Sequence, residues 1–206
     1  MKDYAIETKC VQCGYSPKNG EPRVLPIYQT TTYKYDTSEA MAKLFDLEPG
    51  YMYTRLANPT NDAVAAKITA LEGGFAGVLT SSGQAANFFS LINILGAGDH
   101  FVSSATIYGG TFNLFNVTMR KIGIDVTHST TKYMEGHAST IGGAVIDSGN
   151  FDWEQNDKFP GLTTPDESYH GAVYTRDFGK AAYITKIVAQ LLRDYGSTPS
   201  PQNSFY

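Results

Sequence analysis

"AGVLTSSGQAANFFSLINILG", residues 76–96, holds the reading on which the fold turns. Its first five residues suit a short buried strand. Two serines and a glycine follow, and apolar side chains then recur at helical spacing until Gly96. Strand, tight turn and helix form one unit of an α/β sheet, and the unit repeats. "HFVSS" (100–104) reads as a strand, "TFNLFNVTMRKIG" (111–123) as a helix with Leu114, Phe115 and Met119 inward, and "IDVT" (124–127) as a strand. Upstream, a helix is predicted from a cap at Thr60 or Asn61 to Gly73–Gly74, with Val64, Ala65, Ile68 and Leu71 on one face. Downstream, "GGAVID" (142–147) suits a strand and 148–177 a long polar and aromatic loop. A last helix runs from about Lys180 to Tyr195, with Ile184, Ile187, Val188, Leu191 and Leu192 on its apolar side. This alternation predicts an α/β domain with a mostly parallel sheet. Residues 1–60 show little periodicity and read as an N-terminal arm with short elements.

With 206 residues, 42% of them hydrophobic, the chain can bury a real core as one medium domain or one and a half. A net charge of −4 gives no basis for nucleic acid or an anionic membrane as partner. No apolar run spans a bilayer, and the start MKDYAIETK lacks a signal-peptide core, so a cytoplasmic protein is expected. Cys10 and Cys13 form a lone C-x-x-C and read as two reduced thiols. No two of His100, His128, His137 and His170 stand at metal-ligand spacing, so no metal is expected.

Four stretches bear on chemistry. In "TSSGQAA" (80–86) a helix start offers unpaired N–H groups and a positive end to a phosphate, although Ser-Ser-Gly is also an ordinary cap. "STTK" (129–132) sets Lys132 beside hydroxyls; a lysine forms Schiff bases where its ammonium is disfavoured, and otherwise is a solvated loop residue. Tyr108 in "TIYGG" (106–110) sits past the C-terminal end of a strand, where ligands bind and a ring can stack, a core tyrosine being the default. Tyr53 and Arg55 alternate in "YMYTRLANPT" (51–60), and arginine suits bidentate phosphate contacts. From the residues alone, an unrelated phosphate-binding α/β protein remains open.

Taken together in their order, "LPIYQTTTY" (25–33), "YTRLANPTNDAVAAKITALEGG", "SSGQAA", "ATIYGGTFNLF", "HSTTKYMEGHASTIGGAVIDSGNFDW", "YHGAVYTRDFG" and "SPQNSFY" resemble the Cys/Met-metabolism family of pyridoxal-phosphate enzymes. The loop "NFDWEQNDKFPGLTTPDESYHGAVY" is most similar to the O-acetylhomoserine sulfhydrylase branch, ahead of the γ-lyases and cystathionine γ-synthases. The resemblance implies a partial fold-type-I, aspartate-aminotransferase-like large domain and pyridoxal 5'-phosphate as cofactor. It implies that Lys132 carries the cofactor and later moves protons at Cα and Cβ. Ser82, Gly83 and Gln84 would form the phosphate cup, with Ser129 and Thr131 adding hydroxyls, and Tyr108 would stack on the pyridine ring. Tyr53 and Arg55 would reach the phosphate of a neighbouring subunit in a homodimer or homotetramer. The implied reaction is γ-replacement: acetate leaves O-acetylhomoserine, and sulfide or a thiol adds.

Two parts of the family pattern have no counterpart. No Asp-Asn dipeptide occurs, so the aspartate that keeps the pyridine nitrogen protonated is missing, with Asp99 or Asp125 as unassigned substitutes. The segment expected to hold it would lie at Thr127–His128, and the C-terminal domain with the arginine for the substrate carboxylate would follow Tyr206. The expected organisation is an arm over 1–60, a cofactor-binding α/β domain over 61–196 and the start of a further domain over 197–206. A chain lacking those strands is expected to be poorly stable and weakly active, or to serve as a non-catalytic cofactor-binding or assembly module.

Overall fold

The computed structural model describes residues 4–45, 49–104, 107–127 and 142–205. In the arm, helices α1 (Ile6–Gln12) and α2 (Ser38–Phe45) bury no residue of their own, and α1 lies against the helix that follows the arm. Helix α3 (Pro59–Glu72) follows. Its cap is Asn58, two residues before the predicted Thr60, because Pro59 fits the first helical position, where its missing N–H costs nothing. Asn58 is fully buried: its Oδ1 accepts from the Thr60 N–H at 2.9 Å, and its Nδ2 donates to the Tyr28 carbonyl at 2.9 Å. One side chain thus starts the helix and clamps the arm. The helix ends at Gly73, whose φ of 68° is the left-handed conformation that glycine adopts without strain.

Strand β1 (Ala76–Thr80) leads into α4 (Gly83–Ile92), and β2 (His100–Val102) is followed by α5 (Gly109–Asn113), which runs on as a wider π-helical turn over Leu114–Met119. Strands β3 (Asp125–Thr127) and β4 (Gly143–Asp147) complete the sheet elements. The mostly parallel sheet predicted from element order is found in part. β2 and β3 pair in parallel, His100 opposite Asp125, whereas β4 lies antiparallel to β1, with Gly143 opposite Thr80. The strands among the described residues form two separate two-stranded sheets. The antiparallel pairing has a simple cause: the chain enters β4 beside the end of β1 and runs back along it.

The predicted 148–177 loop contains short helical turns, α6 (Pro160–Thr163), a 3₁₀ turn (Glu167–Tyr169) and α7 (Tyr174–Phe178). Aromatic packing pins it: Trp153 stacks on Tyr183 with centroids 5.3 Å apart and meets Phe159 edge-on. Helix α8 (Ala182–Lys186) continues through a π turn (Ile187–Leu192) into α9 (Arg193–Tyr195), and α10 (Pro201–Phe205) packs on α3. As the spacing predicts, Ile184, Ile187, Leu191 and Leu192 are buried.

The described residues form two cores. Val78, Phe89, Val145, Leu162, Tyr174 and Ile187 anchor the larger one around β1 and β4. Phe115, Met119, Ile124 and Val126 form a smaller one against β2 and β3. Phe88 packs against both. No helix among the described residues is long and apolar enough to cross a membrane.

Candidate functional site

The site grows from the end of β1. Ser82 has an extended backbone (φ −162°, ψ 160°), so its side chain turns back and its Oγ accepts from the Ala85 N–H at 3.1 Å. Its carbonyl takes the Ala86 N–H at 3.0 Å. A helix start leaves four backbone N–H groups without helical acceptors. Here the Ser82 side chain satisfies that of Ala85, the Ala86 N–H makes the first helical bond, and those of Gly83 and Gln84 meet no acceptor among the described residues. A Cβ placed on Gly83 would have nothing within 4 Å, so the backbone there is open to a ligand. The cap reading and the phosphate reading of "SSGQ" therefore coexist: Ser82 caps with its oxygen lone pair and keeps its O–H.

β4 closes on this turn from the other side. A Cβ on Gly143 would stand 2.3 Å from the Ser82 carbonyl oxygen, a distance only glycine allows. The Ser81 N–H donates to the Ser197 carbonyl at 2.6 Å, fastening the turn to the chain beyond α9.

The second wall is the start of α5. Tyr108 is its N-terminal flank and is half exposed; its ring folds over Gly110, where a Cβ would lie 2.7 Å from a ring carbon. Three residues on, the buried Thr111 hydroxyl donates to Gln84 Oε1 at 2.6 Å. That bond brings the two helix starts together at the C-terminal edges of β1 and β2.

Arg55 stands on a different corner. Its guanidinium donates to the Arg193 carbonyl and lies 5.3 Å from the Tyr53 ring centroid. A Cβ on Gly196 would be 3.4 Å from Arg55 Cδ, one residue from the Ser197 carbonyl that holds Ser81. Tyr53 and Arg55 are thus linked to the Ser81–Gln84 turn within this one chain, through residues 193–197. Arg193 in turn donates to the Ser168 carbonyl at 3.2 Å. Burial pushes the nearby Asp166 carboxyl up, but hydrogen bonds from Ser168 and Tyr174 outweigh it and hold the group below its usual range.

Lys132, Ser129 and Thr131 lie outside the described residues, as does His128. Neither candidate for the ring-nitrogen carboxylate is at the site. Asp99 accepts from the Gly96 N–H at 2.7 Å just before β2, and Asp125 opens β3 in a salt bridge to Arg120 at 2.8 Å. Both mark the N-terminal edges of these parallel strands, whereas Tyr108 follows the C-terminal edge. No metal-binding cluster occurs among the described residues. Sequence reading missed Thr111, Gly143 and Ser197. "YGGT" and the Gly142–Gly143 pair carried some signal; nothing local marked Ser197.

A strand end, a capped helix start with two open N–H groups and an aromatic ring at the neighbouring strand end form an arrangement, within an α/β fold, that suits a phosphorylated, planar ligand. The comparisons narrow it. The family model for Cys/Met metabolism PLP-dependent enzymes matches residues 7–128 and 121–206, and the chain belongs to that family. It is 34% identical over 260 residues to a homocysteine/cysteine synthase of Kluyveromyces lactis, an alignment covering 89% of this chain and 59% of the relative. It is 32% identical over 287 residues to an O-acetyl-L-homoserine sulfhydrylase of Leptospira meyeri, covering 99% and 65%. In structure it resembles a protein of Campylobacter jejuni described as an O-acetylhomoserine (thiol)-lyase and carrying an N'-pyridoxyl-lysine-5'-monophosphate. The TM-score there is 0.89, with 25% identity, 98% of this chain and 68% of that one covered.

The fold is therefore fold type I, present in part. The chain spans 58–65% of the lengths of the curated relatives it matches. The Leptospira alignment runs over 287 positions although the chain has 206 residues, so the relative carries tens of residues within the aligned range that have no counterpart here. The two matched segments of the family model meet at 121–128. The phosphate-side groups of this chain fit pyridoxal phosphate. Neither Asp99 nor Asp125 stands on the side of the sheet where these groups lie.

Proposed function

We propose that the chain binds pyridoxal phosphate and takes part in γ-replacement on O-acetylhomoserine, with sulfide or a thiol as the incoming group, in the cytoplasm. The observation that carries the reading is the pair of open N–H groups at Gly83 and Gln84, joined to the Tyr108 wall by Thr111. Pyridoxal phosphate, when bound, supplies a sink for negative charge developing at the substrate's α- and β-carbons.

The chain's own residues supply the rest. The Gly83 and Gln84 N–H groups and the Ser82 hydroxyl hold the phosphate, reinforced by the helix dipole of α4. Ser129 and Thr131 add hydroxyl donors. Tyr108 would stack on the pyridine ring. Lys132 anchors the cofactor and carries protons to and from Cα and Cβ, which requires its amine neutral for part of the cycle. Tyr53 and Arg55 serve the phosphate of a neighbouring subunit, making the working unit a homodimer or homotetramer. Residues 61–196 form the cofactor-binding unit, with 1–60 as its arm and 197–206 leading into a further domain.

A second reading rests on the placement of Asp99 and Asp125 at the far strand edges: the chain holds the cofactor but turns over weakly. Purified protein supplied with pyridoxal phosphate, O-acetylhomoserine and sulfide separates the two. Homocysteine formation that disappears in Lys132→Ala supports the first. Cofactor binding without homocysteine supports the second. Absence of cofactor binding refutes both.

A further inference from the structure

We infer that Thr111 and Asn87 act together as positioning residues that fix the amide of Gln84 so that its N–H groups, not its oxygen, are offered to the cofactor phosphate. The inference rests on the pyridoxal-phosphate reading above. Three side chains form a closed triangle. Asn87 Nδ2 donates to Thr111 Oγ1 at 3.2 Å and to Gln84 Oε1 at 3.3 Å, and Thr111 Oγ1 donates to Gln84 Oε1 at 2.6 Å. Each of these donations is one that its groups allow. An amide nitrogen only donates and an amide oxygen only accepts, whereas a hydroxyl does both with a single proton. With the Asn87 nitrogen facing both neighbours, the Thr111 proton goes to Gln84, whose oxygen faces the pair. Were the Gln84 amide alone turned over, its nitrogen would face the Asn87 nitrogen and one donor would be left unmatched, a costly state next to the buried Thr111.

With Oε1 held by two donors, Nε2 is the atom of this half-buried side chain, second in α4, that is left for another partner. Its two N–H groups meet no acceptor among the described residues. They belong to the residue whose backbone N–H is also open, next to Gly83. An anion at this helix start would receive two kinds of donor from Gln84, main-chain and side-chain. Without the triangle the amide could present its oxygen, which repels a phosphate.

The test compares pyridoxal phosphate with pyridoxal, which lacks the phosphate, by equilibrium titration of the cofactor-free protein. In the native chain pyridoxal phosphate binds more tightly. Thr111→Val keeps the shape and removes the proton. It is expected to weaken pyridoxal phosphate about tenfold, the scale of one buried hydrogen bond, while leaving pyridoxal unchanged. Thr111→Ser restores the native preference. Gln84→Leu, at a half-buried position that tolerates the change, shows the same phosphate-specific loss. Equal weakening of both ligands, or an unchanged preference in Thr111→Val and Gln84→Leu, overturns the assignment. A native chain with no preference for the phosphorylated ligand overturns the cofactor reading itself, which keeps the two failures apart.

Discussion

β1 and β4 lie among three helices, α3, α4 and α8, whereas β2 and β3 rest on α5 and the flank of α4. The first pair holds five residues in register and is backed by the larger core. The second holds three, and Val102 at its end is 74% exposed. Two-stranded sheets have little stability of their own and draw it from what packs on them. The candidate site straddles this divide. The Ser81–Gln84 turn, the proposed phosphate site, stands on the well-supported pair and the Tyr108 wall on the weaker one, and the Gln84–Thr111 bond joins them. Support is thus greatest under the proposed phosphate site.

This contrast can be broken at four levels. The largest effect is expected from Phe89→Ala, which empties the larger core beside β4. A loss of about 4 kcal/mol in denaturant unfolding is predicted, and a cost under about 1 kcal/mol would show that this core is not the main support. Met119→Ala opens the smaller core. It should cost about 3 kcal/mol, and hydrogen exchange should show β3 amides losing protection before those of β1. Simultaneous loss in both strands would mean that the halves unfold as one unit.

Gly143→Ala forces a methyl group onto the Ser82 carbonyl. A destabilisation of about 2 kcal/mol is expected, together with weaker binding of pyridoxal phosphate than of pyridoxal relative to the native chain. Native affinity in this variant would mean that the close approach does not shape the cup.

The smallest effect concerns Asp62. The protein around the cleft it lines pushes its carboxyl up to about 6, against the opposing pull of a hydrogen bond from Tyr51. The folded state therefore binds this proton more tightly than the unfolded one. The resulting stability is fully present below about pH 4 and is lost as pH rises through about 6. Water reaches the side chain, which is exposed along the cleft, and the screening limits the effect to about 1 kcal/mol. Asp62→Asn should match the native chain at pH 4 and exceed it by that amount at pH 7.5; equal stability at both values would remove the claim.

Much of this was legible in the order of residues, for identifiable reasons. Ile184 to Leu192 repeat at helical spacing because that helix buries one face, so it and the inward Phe115 and Met119 could be read directly. Helix α3 was legible as a helix, but of its predicted face Val64, Ala65, Ile68 and Leu71 only Ala65 is buried, the rest of the buried side being Thr60, Asn61, Ala63, Thr69 and Ala70. Element ends were read less well, since caps depend on one side chain: Asn58 claims the start of α3 through bonds to Tyr28 and Thr60 that spacing does not reveal. Ser82 and Tyr108 could be singled out because strand–turn–helix junctions have a local signature. Thr111 and Ser197 were not, because each acts on a residue far along the chain, Gln84 and Ser81. The antiparallel pairing of β4 with β1 was hidden for the same reason, being a relation between residues more than sixty positions apart.

The central claim is that Lys132 is the residue that carries the cofactor placed by the Ser82–Gln84 turn and Tyr108. Borohydride reduction of the protein loaded with pyridoxal phosphate locks any covalent link between cofactor and lysine, and peptide mass mapping then locates it. The link is predicted on Lys132 alone. A competitor is at hand in Lys186, whose amine is held below its usual range by burial, partly offset by the charge of Asp166, and which donates to the Asn93 carbonyl at 2.9 Å. Label on Lys186, or on no lysine, would contradict the account.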